Sequence, residues 1–289
     1  MISQIATAIS EYLGKPFIPT HSQNVQGGCI NQALKLTDGQ HCYFIKLNSA
    51  LLLSMFEAEK TGLEEIIKSG TIQVPTPLFT GVIENYAYLV LEYIEFKTAK
   101  ANSYRKAGMA LAKMHQTTQS SFGWSFDNTI GSTLQQNTLK KDWIQFWQQN
   151  RLEYQLNLAK QKNAHQLLDY GTQLLEKLPL LLNHQVVPSL LHGDLWGGNM
   201  DFDQQGRAVI YDPAVYYGDR ETDIAMTRLF GGFNTDFYSA YNEVYPLEMG
   251  YQTREILYNL YHILNHYHLF GGGYGIQAEN MIKKLLSLI

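Results

Sequence analysis

The chain has 289 residues, 45% hydrophobic and 17% charged, and its 22 Lys+Arg against 26 Asp+Glu leave a net charge of −4. So apolar a composition excludes intrinsic disorder, and the acidic balance argues against nonspecific nucleic-acid binding and against docking on anionic membranes. No apolar run approaches the ~18 residues of a membrane span, Glu11 and Lys15 interrupt the stretch where a signal peptide would need an apolar core, and two cysteines, Cys29 and Cys42, are too few for a disulfide framework or a four-cysteine zinc site.

A soluble cytoplasmic enzyme of one large domain or two lobes is therefore expected. Ile2, Ile5, Ile9 and Leu13 recur at three- and four-residue spacing and predict a short amphipathic helix. Strands follow over 17–26, 30–37 and 41–48, with turn signals at Gly27-Gly28 and Asp38-Gly39. Side chains alternate along a strand, so Lys46 shares a face with Phe44. A helix over 50–68 comes next, with Ser49 as its N-cap and Leu52, Phe56, Leu63 and Ile67 as its apolar stripe. Glu59 lies three residues after Phe56 and four before Leu63, so it points with that stripe. An inward carboxylate needs a cation or several donors, and Lys46 on the neighbouring strand is the expected cation.

Val74–Pro77 breaks the helical pattern. Strands near 78–83 and 86–93 complete a five-stranded sheet. Beyond Glu95 helical patterns dominate, near 102–119, 139–160, 164–178, 222–230, 235–244, 253–270 and 275–288, interrupted by short strands near 199–203 and 207–212. The expected class is α+β: a small sheet lobe over residues 1–93 and a larger, mainly helical lobe over 94–289.

The segment with most chemistry is His192-Gly-Asp194-Leu-Trp196-Gly-Gly-Asn199, followed by Asp212-Pro213. An Asp and an Asn five residues apart on a loop can converge on a phosphate-transfer site, the Asp accepting a hydroxyl proton and the Asn oxygen ligating a metal. An Asp at the end of the next apolar strand can supply a hard oxygen to Mg²⁺. Protein kinases place their catalytic Asp, Asn and second Asp in this order. Asp194 is thus the candidate base, and Asn199 and Asp212 are candidate Mg²⁺ ligands. Lys46, paired with Glu59, is expected on the α- and β-phosphates of ATP. Gly27, Gly28 and Cys29 lie between strands ahead of Lys46 and can cover a nucleotide with backbone N–H groups. No Gly-Lys-Ser/Thr follows, so this is not a Walker A loop.

With these strings in place the sequence resembles the fructosamine kinase (ketosamine-3-kinase) family, within the larger group of aminoglycoside phosphotransferases and choline kinases. The matching pieces are Gly27–Asn31, Phe44–Lys46, Met55–Glu59, Val74–Pro77, Leu91–Tyr93, Phe122–Gly123, Asp142–Trp143, His192–Asn199, Asp212–Pro213, Gly218–Asp223 and Leu269–Gly272. The resemblance implies a bilobal protein-kinase-like fold and ATP-dependent phosphorylation of the O3 hydroxyl of ketosamines. These are ribulosamine, erythrulosamine or fructosamine adducts, on small molecules or on glycated protein amines, and the activity implied is protein deglycation. It also makes Leu91, Glu92 and Tyr93 the adenine hinge.

Trp196 is expected either to pack against the sugar or its amine substituent, or to anchor the loop. Asp223 is expected to fix the catalytic loop through backbone hydrogen bonds, and His192 to organise that loop. Cys29, a thiol in a nucleotide loop, could form a redox-dependent intermolecular disulfide. A small-molecule kinase of the aminoglycoside or choline type and a nucleotide-binding pseudokinase are the alternatives.

Overall fold

The computed structural model describes residues 1–25, 31–162 and 164–289. Gly27, Gly28 and Cys29, with the nucleotide loop and the disulfide expected of them, lie outside the described residues.

The chain opens with α1 (Ile2–Leu13), closed by Gly14 in the left-handed region. Then come β1 (His21–Val25), β2 (Gln32–Thr37), β3 (Cys42–Ser49), α2 (Leu53–Ser69), β4 (Pro77–Ile83) and β5 (Tyr86–Glu92). The five strands form one antiparallel sheet in the order β1-β2-β3-β5-β4. The first strand begins at His21 rather than residue 17, because Phe17 turns into the core under α1. Ser49 caps a 3₁₀ turn over Ala50–Leu52 through Leu51 N–H, and α2 starts after that turn. The apolar stripe of α2 ends on Ile66, which is fully buried, whereas Ile67 is exposed. Ile66 lies four residues after buried Gly62 and on the side of Met55, in the middle of the buried face, whereas Ile67 falls at its edge beside Phe56.

Both faces of the sheet are covered. Ile5 and Ile9 of α1 pack with Leu36, Ile45, Leu47 and Val90 on one face, each fully buried aliphatic side chain contributing ~1.5–3 kcal/mol. Ala87, Leu89 and Leu91 face α2, in a core that continues into the helical region. Lys46 sits on this second side, which brings a charged residue under α2.

The rest comprises α3 (Ser103–Met114), β6 (Asn128–Ile130), β7 (Thr133–Gln135), α4 (Trp143–Trp147), α5 (Glu153–Lys160), α6 (His165–Leu181), β8 (Ser189–Leu191), β9 (Met200–Phe202), β10 (Ala208–Ile210), β11 (Tyr216–Gly218), α7 (Glu221–Leu229), α8 (Thr235–Val244), α9 (Tyr251–Phe270) and α10 (Tyr274–Leu286). The helix expected from 139 starts at Trp143, where Asp142 accepts a hydrogen bond from Gln145 N–H at 2.7 Å. A π-helical turn over Gln148–Leu152 joins α4 to α5. Among the described residues three two-stranded ribbons lie in this part: β9 with β10, β8 with β11, and β6 with β7. Only the first has its strands in the sequence pattern. All six strands are three residues long, too short for alternation to show; β9 and β10 are legible because they flank the turn at Asp203–Gly206 inside a longer apolar pattern.

Candidate active site

The short β8 delivers His192 to the end of its ribbon, and the loop from there to Asn199 carries the chemistry. Gly193 is required for its backbone. It has φ +82°, and a Cβ there would lie 2.1 Å from the Ala214 carbonyl oxygen. The 192–199 loop and the segment after β10 are thus in backbone contact. Ala214 N–H also donates to His192 O at 2.8 Å.

Asp223, in the first turn of α7, holds this loop from below. Its two oxygens accept His192 N–H at 2.7 Å and Gly193 N–H at 2.8 Å. Burial alone would raise its pKa, but these bonds and His115 hold it below the usual carboxylate range. His115 is fully buried at the end of α3 and contacts Asp223 Oδ2 through Nε2 at 3.1 Å. Burial depresses its pKa despite Asp223. As neutral imidazole it donates from Nε2 and accepts from Tyr241 O–H at Nδ1. His192 is likewise kept neutral by burial. Its Nε2–H donates to Tyr211 O at 3.0 Å, so it ties the loop to the residue before Asp212. The loop-fixing roles expected of Asp223 and His192 are visible in these bonds.

Asn199 Nδ2 donates to the Asp194 carbonyl at 2.8 Å and to its carboxylate at 3.3 Å. Asp194 is pushed up to about 7, first by burial and then by the like charges of Asp212 and Asp223, against the pull of Asn199. Asp212 has φ +58°, a left-handed conformation that costs a non-glycine residue about 1–2 kcal/mol.

The structure joins Lys46 to its expected partner Glu59 and, across 166 positions of sequence, to Asp212, a pairing the sequence did not suggest. Its Nζ is 2.5 Å from Glu59 Oε1 and 2.6 Å from Asp212 Oδ1. Burial would lower the lysine pKa, but Asp212 and then Glu59 outweigh it and hold the ammonium charged. Burial pushes Glu59 upward against the attraction of Lys46. Asp194, Asn199, Asp212, Lys46 and Glu59 therefore form one constellation.

Mg²⁺ fits this donor set. Asn199 spends its NH₂ on Asp194, and among the described residues no donor reaches its Oδ1. Asp194 feels the like charges of Asp212 and Asp223, which a cation beside it relieves, and hard oxygens are what Mg²⁺ takes.

Leu91 and Glu92 end β5, and Tyr93 follows it. Glu92 N–H donates to Thr76 O at 2.8 Å and Tyr93 N–H to Cys42 O at 3.4 Å, so both amides are engaged within the fold. Trp196 is 38% exposed, with its ring edge-on to Phe230 at 5.9 Å. Asp219 and Glu221 are structural: Glu221 pairs with Arg254, and Asp219 accepts His184 and Tyr258.

Sequence reasoning missed His115, Asn128 and Gln135. Asn128 Nδ2 donates to Val215 O at 2.8 Å, and Gln135 Nε2 to Ala214 O at 3.0 Å. A histidine closing the apolar face of α3 was the one available signal; Asn128 and Gln135 sit in a ribbon with no periodicity to reveal it.

The fructosamine kinase family model matches residues 1–288. A protein of Synechocystis sp. described as a probable ketoamine kinase is 47% identical over 285 residues, covering 98% of this chain and 96% of the relative. A chloroplastic protein-ribulosamine 3-kinase of Arabidopsis thaliana is 41% identical over 281 residues, 96% of this chain and 86% of the relative. The crystal structure of a candidate fructosamine-3-kinase from Haemophilus somnus superposes with a TM-score of 0.90 at 31% identity, covering 98% and 96% of the two chains. Spectinomycin phosphotransferase in complex with ADP and its antibiotic has a TM-score of 0.58 at 15% identity, over 98% of this chain and 93% of that one, and shares the fold.

Proposed function

The chain belongs to the fructosamine kinase family, and from that premise we propose that it transfers the γ-phosphoryl group of ATP to the O3 hydroxyl of a ketosamine. The observation that carries this proposal is the single constellation of Asp194, Asn199, Asp212 and Lys46. In the reaction the sugar O3–P bond forms, the bond from γ-phosphorus to the ADP oxygen breaks, and the O3 proton passes to the Asp194 carboxylate. Phosphoryl transfer depends chiefly on positioning and on charge stabilisation. Asp194 orients the hydroxyl, and Asn199 holds Asp194 by its carbonyl and its carboxylate. Lys46 passes from Asp212 to the α- and β-phosphates while Glu59 keeps hold of it. Asn199 and Asp212 would hold Mg²⁺, which when bound neutralises charge on the phosphate oxygens.

At the hinge Leu91 supports the adenine from the sheet. Because the Glu92 and Tyr93 amides are engaged, adenine is read by carbonyl groups there and by residues beyond 93. Trp196 offers its open face to the sugar or to the substituent on its amine. Ribulosamine is the leading substrate class, given what the Arabidopsis relative is said to phosphorylate. A 3-phosphate makes such adducts labile, so the physiological outcome proposed is removal of glycation from small amines or proteins. A coupled ADP-release assay over ribulosamine, erythrulosamine, fructosamine, choline and an aminoglycoside, with the phosphorylated carbon located by NMR, tests the proposal. Asp194→Ala should abolish turnover of the preferred ketosamine while the protein stays folded. Full kcat in that folded variant, or a preference for choline or the antibiotic, refutes it.

A further inference from the structure

The ribbon of β6 and β7 is not part of the constellation, yet it meets two of the segments that shape it. Asn128 and Gln135 are paired across its open end. Their side-chain amides donate to consecutive carbonyls, Val215 O from Asn128 and Ala214 O from Gln135. Those carbonyls lie two and three residues after Asp212, whose φ of +58° is a conformation that its neighbours must impose. The two amides are themselves held. Gln135 Nε2 and Asn137 Nδ2 both donate to Asn128 Oδ1 at 2.8 Å, and Tyr261 O–H donates to Gln135 Oε1 at 2.9 Å. Arg151, fully buried, donates to Asn137 Oδ1 at 2.9 Å.

The same ribbon packs against α2. Gly62 of α2 closes on Val215, where an added Cβ would lie 3.0 Å from Val215 Cγ2. Tyr217 O–H donates to Glu65 Oε1 at 2.8 Å, one turn further along the helix. Gly62 is three residues from Glu59 and so shares its side of α2. The ribbon, α2 and the 212–217 segment thus meet in one junction next to the two carboxylates that Lys46 bridges.

We propose that Asn128 and Gln135 are positioning residues: their amides form a brace that holds Asp212 in its left-handed conformation and in register with Glu59, so that the protein binds nucleotide with its metal. The brace rests on the reading of Asp212 as a metal ligand. Only a carboxamide serves at 135, because the side chain must donate to Ala214 O and Asn128 while accepting from Tyr261.

The test is calorimetry of ADP binding at a series of Mg²⁺ concentrations, with no acceptor present, on full-length wild type, Gln135→Met, Gln135→Glu and the control Leu134→Ala. Leu134 is on the same ribbon and exposed. The expected result is a Mg²⁺ midpoint raised on the order of tenfold in Gln135→Met and unchanged in Leu134→Ala. In Gln135→Glu the midpoint rises as well, and its ratio to wild type falls as pH drops from 8 to 6, because a buried carboxyl that takes up a proton regains one donor. Should Gln135→Met fail to fold, Gln135→Glu, with the same shape, carries the test. A folded variant whose midpoint stays within twofold of wild type, with no pH trend in Gln135→Glu, overturns the brace. Wild-type ADP binding that is indifferent to Mg²⁺ overturns it together with the metal reading, whereas a missing ketosamine activity counts against the substrate reading alone.

Discussion

Asp223→Asn separates fold from catalysis with a change of one atom. Asp223 Oδ1 accepts from Gly193 N–H, and Oδ2 accepts from His192 N–H and contacts His115 Nε2. Asparagine has one oxygen and one NH₂, so in either orientation at least one buried backbone N–H faces another donor. Leaving a buried donor unpaired costs about 1–3 kcal/mol, and the bonds that remain lose the reinforcement of a charged acceptor. The expected destabilisation is about 2–4 kcal/mol, within the ~5–15 kcal/mol of a typical domain. The melting temperature should drop by roughly 4–8 °C, and the protein should still fold. The catalytic loop, with one of its two anchors lost, should shift Asp194, and a displacement of ~1 Å is enough to lower kcat on the order of 10²-fold. Melting followed by near-ultraviolet circular dichroism, together with kcat at saturating ATP and ketosamine, measures both. His115→Phe should act through the same carboxylate, so the double variant should be non-additive by ~0.5–3 kcal/mol. A variant with the lowered melting point but a kcat within threefold of wild type would refute the role of Asp223 in setting the loop.

Gly193→Ala should cost most of the activity, since its Cβ meets Ala214 O at 2.1 Å, whereas Gly197→Ala, with open space at that position, should be tolerated; kcat of the pair decides. Lys46→Met strands the buried Glu59 carboxylate and should cost about 3–5 kcal/mol by chemical denaturation. Lys46→Met/Glu59→Leu should recover most of that stability and stay inactive. Acid stability should depend on His262, which is buried on α9 with a pKa lowered from 6.5 to about 3, by burial first and then by His266. The unfolded chain takes up the proton near pH 6.5 and the folded one does so only near 3. Stability is therefore complete above 6.5 and is lost as pH falls toward 3, by at most about 1.4 kcal/mol per unit. His262→Leu should flatten that slope, measured as denaturation midpoint against pH.

The sequence by itself determined the elements long enough to repeat a pattern and the residues whose chemistry is local. The five-stranded sheet, the long helices and the inward aim of Glu59 follow from periods of 2 and 3.6 residues. Asp194 and Asn199 are five positions apart, and an apolar strand carries Asp212 back beside them, so their convergence could be read from spacing. Tertiary structure alone decided the contacts between distant segments: Lys46 on Asp212, His115 on Asp223, and Gln135 on Ala214. Three-residue strands show no alternation of their own, and β6, β7, β8 and β11 lack the longer apolar runs that flagged β9 and β10; a buried Asn or Gln looks in sequence like any polar loop residue. Their partners are chosen by which unpaired carbonyl the fold leaves inside, and a buried carbonyl must be paired wherever the chain places it.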